Sequence, residues 1–447
     1  MFYRIVSCDR TEESLIVSKD FEKKYLNENI KIINICAGQR KQNIKVQISS
    51  NLDDYTLEIS SDILEYLLIP LDVFYQVNIQ DNCINIGPII GLLITKHNRD
   101  LTKGMLKRLL LYTLHYEKFN GLICVFSWEG IEFISKVIKG FYFKYDNSTK
   151  SGFWKEGIIP FPNVVYNRTL LTKFKIQKLK ENVNNKLFNS LQLNKLDFWR
   201  MAEKSNLVSN NIPDTKLLSS IEDLDKMLEK YDYVYLKPIG SSLARGLIRV
   251  HKSEGSYCFQ INDNPYPVLV QSGETAFNYF NRIKHKQQYL VQQGINSIKF
   301  ENRYIDFRVI MQKNETLEWK CTKIVAKIGK QNGICSNFKE DGYALTFEEV
   351  FIRVLKLEDK EINNIKTKLI NICNNLCKMF DETGENFGDL GIDAAIDDKL
   401  NIWILEANTR QDHKIILPLK DRKSFHETKS NPIKYAVASS SFNIYNN

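Results

Sequence analysis

Ile402-Trp403-Ile404-Leu405-Glu406-Ala407-Asn408 is an apolar strand carrying two oxygen-bearing side chains two residues apart. Upstream, Gly391-Ile392-Asp393-Ala394-Ala395-Ile396 is a second short apolar strand, and Asp397-Asp398-Lys399-Leu400-Asn401 between them has the composition of a hairpin turn. Alternate residues of a strand share a face, so Glu406 and Asn408 point the same way. If the loop is even in length, Asp393 joins them, opposite or diagonal to Glu406 and about 5–8 Å away. Two carboxylates and an amide oxygen converging on an apolar sheet call for a cation. Oxygen ligands of this kind suit magnesium bound to nucleotide phosphates. An ordinary hairpin with one polar face is the competing reading.

A second segment, Tyr233-Val234-Tyr235-Leu236-Lys237-Pro238-Ile239-Gly240-Ser241-Ser242-Leu243-Ala244-Arg245-Gly246, ends an aromatic and β-branched strand in a lysine followed by a Gly/Ser loop. Glycine allows close backbone approach, and amides with serine hydroxyls can hold phosphate oxygens beside the charge of Lys237. No Gly-Lys-Ser/Thr sequence opens a helix here, so this is not a P-loop, and a plain hairpin turn stays open. In Gln288-Tyr289-Leu290-Val291-Gln292-Gln293-Gly294-Ile295 a buried strand ends in polar amides and glycine, where backbone groups could pair with a purine edge. In Tyr304-Ile305-Asp306-Phe307-Arg308-Val309, alternation puts Asp306 and Arg308 on one face. That pair is either an ion pair across a sheet or a forked cation suited to a migrating phosphoryl group.

Composition sets the frame. The 447 residues are long enough for two to four domains, and 43% apolar with 26% charged residues is an ordinary globular balance. Met1 is followed by no charged-then-apolar leader, and the longest apolar runs, such as Ile89 to Thr95, are strand-sized. A cytoplasmic protein with no membrane association is expected. Nine cysteines are scattered singly, and only Cys373 and Cys377 lie one helical turn apart, so buried free thiols are expected rather than a zinc site. The net charge of +9 is spread along the chain with no basic stripe interleaved with aromatics, which argues against nucleic-acid binding.

Three parts follow in order. Residues 1–83 hold short β-rich runs and a capped helix at Ser60–Leu67, and contain no residue set that looks like a site. Residues 84–193 alternate strand and helix, with helices expected at Lys103–Phe119 and around Ile131–Ile138, which implies a parallel sheet. A polar stretch from Asn163 to Asn185 serves as a linker. Residues 194–430 carry the motifs, and 431–447 are expected to be a C-terminal tail, frayed after Asn443.

Taken together, Ile86-Gly87-Pro88-Ile89-Ile90-Gly91, Tyr235-Leu236-Lys237-Pro238 with its loop, Val291-Gln292-Gln293-Gly294-Ile295, Asp306-Phe307-Arg308-Val309, and Gly388-Asp389-Leu390-Gly391-Ile392-Asp393 with Leu405-Glu406-Ala407-Asn408 resemble the ATP-grasp superfamily, and within it the YheC/YheD-type, spore-coat-associated branch. The resemblance covers roughly Ile84 to Pro418. It implies a multidomain α/β and α+β architecture: a β-rich domain (1–83), a pre-ATP-grasp α/β domain (84–193) and an ATP-grasp domain (194–430) whose lid subdomain spans about 210–290. The cofactors implied are ATP and Mg2+. Lys195, Lys237, Ser241, Ser242 and Gly246 would cover the phosphates, and the backbone of Gln292, Gln293, Gly294 and Ile295 would hold adenine. Asp393, Glu406 and Asn408 would ligate the metal, Arg308 would stabilise the transferring phosphoryl group, and Lys327 and Asn337 would face substrate. An acidic insertion, Ser336-Asn337-Phe338-Lys339-Glu340-Asp341-Gly342, departs from the more glycine-rich loop of relatives and bears on the substrate pocket.

The implied activity is an ATP-dependent carboxylate–amine ligase that works through an acyl phosphate and takes small-molecule or peptide substrates. Such chemistry needs no protein nucleophile, in keeping with a sequence that offers no serine or histidine dyad. The alternative is a non-catalytic coat or scaffold protein of the same fold, associated with spores and with spore coat proteins.

Overall fold

The computed structural model describes residues 1–8, 13–26, 31–80, 82–241, 244–262, 264, 266–336 and 341–442. Seven strands, β1 (Tyr3–Cys8), β2 (Ser14–Ser18), β3 (Ile32–Ala37), β4 (Arg40–Ser49), β5 (Thr56–Ser60), β6 (Phe74–Gln80) and β7 (Cys83–Gly87), close into a barrel in the order β1-β5-β2-β4-β3-β7-β6. Closure leaves no free edge within this sheet. Ser18 caps α1 (Lys19–Tyr25) by accepting from the Phe21 N–H, and α2 (Ser61–Leu67) occupies the stretch read as a capped helix. Cys36 and Cys83, on neighbouring strands β3 and β7, form a disulfide, which corrects the expectation of free thiols throughout. Sequence spacing carries no sign of it, because 47 residues separate the two.

The second sheet runs β11-β10-β9-β8-β12-β13, built from β8 (Ile89–Thr95), β9 (Leu122–Glu132), β10 (Val137–Asp146), β11 (Ser151–Pro160), β12 (Val164–Asn167) and β13 (Leu187–Phe188). Strand β8 is parallel to both β9 and β12, and α3 (Lys103–Leu109) lies on the crossover from β8 to β9. Two expectations change here. The apolar run around Ile131–Ile138 is a strand hairpin with Ile131 paired to Ile138, where β-branched and aromatic residues follow their strand preference. The polar stretch 163–185 contains the wholly buried strand β12 and a helix, α4 (Lys173–Asn182), so it is not a simple linker.

Residues from both sides of position 83, including Ile33, Ile35, Ile84 and Ile86 of the barrel with Ile89, Phe126, Ile138 and Phe161 of the second sheet, pack into one continuous core. The two sheets share their apolar interior.

After α5 (Lys195–Glu203), the third sheet has the order β14-β19-β15-β16-β17-β18, from β14 (Thr215–Leu218), β15 (Tyr233–Pro238), β16 (Ile248–Ser253), β17 (Ser256–Ile261), β18 (Val268–Val270) and β19 (Tyr289–Gln293). Leu224 and Met227 of α6 (Ile221–Lys230) and Ala276 and Phe280 of α7 (Gly273–Ile283) bury against it. The fourth sheet runs β23-β22-β21-β24-β25, with β20 (Lys299–Phe300) paired to β21 (Arg303–Lys313), then β22 (Trp319–Ile328), β23 (Tyr343–Thr346), β24 (Asp389–Ile396) and β25 (Ile402–Asn408). One face is covered by α8 (Phe347–Val350) and α9 (Asp359–Asp381). There Ile305, Phe307 and Val309 of β21 meet Ile362, Leu369 and Cys373 of α9. The opposite face carries the polar residues.

The final helix, α10 (Arg422–Ser439), runs through the expected boundary at 430/431, with Ile433 and Val437 in the core of the second sheet, so residues 431–442 are packed structure and not a tail. The residues beyond 442 lie outside the described set.

Candidate functional site

Asp393 on β24 stands directly opposite Glu406 on β25, and Gly391 opposite Asn408. A bulge sets this register: Ala394 pairs with Ile404, Asp393 with Glu406, and Leu405 is the extra residue. Strict alternation from Ile402 and Ile404, both buried on the α9 side, would send Glu406 into that core. The inserted residue reverses the phase, so Leu405, Glu406 and Asn408 face away from it.

Arg308 of β21 is the partner of Asp393 on its other side, which makes a row Arg308–Asp393–Glu406 across three strands. The guanidinium grips Asp393 with two bonds, Nε to Oδ1 at 2.6 Å and Nη2 to Oδ2 at 2.9 Å, and Lys327 Nζ adds a contact at 3.2 Å. Burial pushes the Asp393 carboxyl up, but the Arg308 and Lys327 charges outweigh it and hold the group well below the usual carboxylate range. Glu406 lies within hydrogen-bonding reach of Asp393 and accepts from Asn408 Nδ2 at 3.2 Å. Two residues along β21, Asp306 faces Lys327 and accepts from the Ser336 hydroxyl, while burial raises its carboxyl.

Lys237, at the end of β15 in the third sheet, donates to Gln292 Oε1, and Lys195, at the first turn of α5, donates to the Ser241 carbonyl. Burial pulls the Lys237 ammonium down to about 8, opposed by Glu406 and assisted by Lys195. A cavity of about 470 Å³ brings these groups together: Lys195, Lys237, Arg245, Arg308, Lys327 and Lys414 line it with Asp306, Asp393, Glu406 and Asp412. A smaller slot of about 80 Å³ adjoins it, walled by Tyr235, Leu247, Ile295, Tyr304, Ile334 and Leu405 together with Gln292, Gln293 and Ser297, and it shares Lys237, Asp306 and Cys335 with the larger cavity. The charged chamber thus opens into a narrower slot whose walls are part apolar, part amide and hydroxyl.

The expected residues are not all gathered there. Ser241 lines the cavity, its hydroxyl donating to the Arg245 carbonyl at 2.8 Å. Gly246 turns toward His285 instead: at φ +71° a Cβ would lie 2.4 Å from its ring. Gly294 donates its N–H to the Tyr233 carbonyl and borders a separate outer cavity, and the Ile295 carbonyl is taken by the Tyr233 hydroxyl, so these backbone groups are engaged within the protein. Of the four residues whose backbone was expected to hold adenine, Gln292, Gln293 and Ile295 line the slot and Gly294 does not, and the Gln293 N–H is likewise taken, by the Asp214 carbonyl. Ser242 and Asn337 lie outside the described residues, as does most of the acidic insertion.

Among the described residues, no three His, Cys, Asp or Glu side chains gather as a metal cage. Asp393 and Glu406 supply an open half-shell of carboxylate oxygens; Asn408 stands beside them with its Nδ2 turned to Glu406 and is not among the residues that line the cavity. The carboxylate pair fits a hard divalent ion completing its coordination on phosphate oxygens and water. Asp393 is shared with Arg308 and Lys327, so that half-shell is already neutralised by protein cations.

A buried network behind the row had no forecast. Asp389, four residues before Asp393 on β24, accepts from Tyr166, from Gln312 at 2.9 Å and from Gln411 at 2.5 Å, and meets His413 Nε2 at 2.9 Å and Arg168 at 3.4 Å. Burial raises this carboxyl, but His413 and Arg168 keep it well below its usual range, and His413 is pulled down to about 4, chiefly by burial. Lys429 Nζ sits 3.0 Å from His413 Nδ1. The Gln411 Nε2 contact fixes its amide, since a flip would set oxygen against carboxylate. Its Oε1 is then buried without a hydrogen-bond partner among the described residues. A Cβ on Gly391 would stand 2.6 Å from this oxygen and 3.1 Å from Arg308 Nη1, so only glycine leaves room for both. The one sequence signal was Gly388-Asp389 inside the motif; Arg168 and Tyr166 lay in the supposed linker.

The family profile described as YheC/D like ATP-grasp matches residues 184–438, more than half of the chain. The endospore coat-associated protein YheD of Bacillus subtilis (strain 168) is 26% identical over 378 residues, covering 81% of each chain. The endospore coat-associated protein YheC of the same organism is 24% identical over 277 residues, covering 60% of this chain and 75% of that one. Among solved structures, the VanG D-Ala:D-Ser ligase from Enterococcus faecalis aligns at 12% identity over 78% of this chain and 99% of its own, with a TM-score of 0.44. The chain belongs to the YheC/D-like ATP-grasp family.

Proposed function

We propose that this chain is an ATP-dependent ligase that joins a carboxylate to an amine through an acyl phosphate and releases ADP and phosphate. The observation that carries the reading is the single cavity in which Lys195 and Lys237 face the Arg308–Asp393–Glu406 row. Adenine would occupy the slot beside Gln292, Gln293 and Leu405, with the triphosphate extending toward Lys237, Lys195 and Ser241. Asp393, Glu406 and Asn408 would hold Mg2+, which neutralises triphosphate charge when bound. Arg308, anchored through Nε and Nη2, keeps Nη1 for the oxygens of the phosphoryl group passing to the substrate carboxylate. Attack by the amine forms the C–N bond, and phosphate leaves with the C–O electron pair and takes up the amine proton. Walls of Leu405, Leu247, Ile415 and Pro418 limit water around the reactive anhydride.

Incubating the protein with ATP, magnesium and a small-molecule extract, then following ADP release with mass spectrometry of products, tests the reading. A magnesium-dependent adduct whose mass is the sum of an acid and an amine less one water is expected. The coat-associated names of the relatives favour one second reading, a non-catalytic protein of the same fold that associates with coat proteins. Under that reading no condition in this assay yields ADP.

A further inference from the structure

We propose that the outer face formed by α4 and the turn between β9 and β10 docks the protein on an anionic lipid bilayer. The helix begins Lys173-Phe174-Lys175-Ile176-Gln177-Lys178, and Ile176 and Leu179, with Leu171 ahead of them, turn toward the core shared by the barrel and the second sheet. Its lysines hold it to the β9–β10 hairpin. Lys178 Nζ stands 4.2 Å from the centre of the Phe133 ring and Lys175 Nζ 4.8 Å from that of Trp128, and the two rings are 5.4 Å apart. On the other flank of the turn, Arg40 of the barrel donates to the Ser135 carbonyl and lies over the Tyr66 ring at 4.5 Å. Helix, turn and barrel therefore form one connected strip of aromatic rings layered with cations.

The strip also carries apolar side chains that touch little of the protein. Ile134 in the turn is fully exposed, Phe174 is 77% exposed, and Leu170 just ahead of α4 is exposed as well. Single exposed apolar residues are ordinary, but these belong to two elements in contact and sit among unneutralised cations. Arg40, Lys136, Lys173, Lys175 and Lys178 make no ion pair among the described residues. Of the acids in these elements, Glu132 is held by Lys139 at 2.6 Å and Glu181 accepts from Gln177 at 2.9 Å.

That composition favours lipid over protein as the partner. The centre of a protein–protein interface is depleted in lysine, whereas a membrane-surface contact combines apolar tips that enter the acyl boundary with lysines that stay at the headgroup phosphates. The sequence led to an expectation of no membrane association because no apolar run is long enough to span a bilayer, and no helix among the described residues is long and apolar enough to cross one. A surface contact needs no span. None of the strip's residues lines the nucleotide cavity, so docking there leaves that cavity uncovered by its own contacts.

The test sediments the full-length protein with vesicles of phosphatidylcholine alone and with vesicles in which one lipid in three is phosphatidylglycerol, and measures retention on polyglutamate in parallel. Partition onto the anionic vesicles is expected to be at least tenfold stronger and to weaken as salt is raised. The double variant Ile134→Ser/Phe174→Ser is expected to lose at least fivefold in partition at an unchanged melting temperature. Lys136→Glu/Lys173→Glu is expected to lose at least fivefold, while Lys360→Glu/Lys368→Glu, the same change of charge on exposed positions of α9, loses less than twofold. Equal partition onto both vesicles, equal losses in the two charge-reversed proteins, or wild-type partition by the serine variant overturns the proposal. Retention on polyglutamate without vesicle binding overturns it too, in favour of an acidic protein partner.

Discussion

Asp393 has two tasks that substitution can separate. It neutralises Arg308 and Lys327, whose side chains are 13% and 14% exposed, and in the proposed function it would also complete the oxygen set with Glu406. Asp393→Ala leaves two largely buried cations without their counter-charge, and removing one member of a buried pair costs about 3–5 kcal/mol. Chemical denaturation should show that loss directly. Glu406→Ala removes a group that makes no direct ion pair and supports Lys237 and Arg308 only through space, so its denaturation midpoint should shift less than that of Asp393→Ala while turnover is lost. Arg308→Ala should lower kcat by about 10²–10³, the cost of deleting one positioned donor to developing charge. Lys237 gives a pH signature. Its ammonium titrates at about 8 in the nucleotide-free protein, and only the protonated form attracts triphosphate. Nucleotide affinity should therefore fall as pH rises through 8; a dissociation constant that stays flat from pH 7 to 9 would remove Lys237 from the phosphate site.

At the scale of elements, the β24–β25 hairpin was legible in sequence as two apolar strands around a turn, and so was the shared face of Glu406 and Asn408. The phase of that face was not. Counting alternate residues back from Glu406 reaches Ile404 and Ile402, which lie in the α9 core, and only the bulge at Leu405 reconciles the two faces. Bulges arise from local twist and leave little trace in composition. The alternation of Asp306 and Arg308 was equally plain, yet their partners were not, because Arg308 finds Asp393 from 85 residues away. The run at Ile131–Ile138 misled for a related reason: a short apolar stretch has the same periodic content in a helix or a hairpin. Gly391 extends the argument to packing. Gly391→Ala should push Gln411 or Arg308 aside, with overpacking typically costing about 1–3 kcal/mol. A larger fall in turnover than in stability would mark Arg308 as the group displaced.

Across the whole molecule, the Asp389 network joins parts that sequence placed apart: Tyr166 and Arg168 beside β12, Gln312 on β21, and His413 and Lys429 around the final helix. These links depend on the tertiary arrangement, which is why the stretch 163–185 resembled a linker. They also set an acid limit. His413 is depressed from its usual value to about 4, and a depressed basic group favours the unfolded chain once that chain can protonate. Stability should decline as pH falls from about 6.5 toward 4, a window named by the His413 shift, with Asp389 adding to the loss at the acid end. A melting temperature unchanged between pH 7 and 4.5 would contradict this. The barrel shares its core with the second sheet, so removing residues 1–81 should expose Ile84, Ile86 and Phe161 and destroy cooperative unfolding, where a detachable module would leave it intact.

The central claim is that oxygens on β24 and β25 bind a divalent ion together with a nucleotide. Calorimetric titration of a non-hydrolysable ATP analogue, with and without magnesium, tests it in wild type and Glu406→Ala. Magnesium is expected to tighten binding at least tenfold in wild type and to have little effect in the variant. Equal enhancement by magnesium in both proteins, or no nucleotide binding by wild type, would contradict the account.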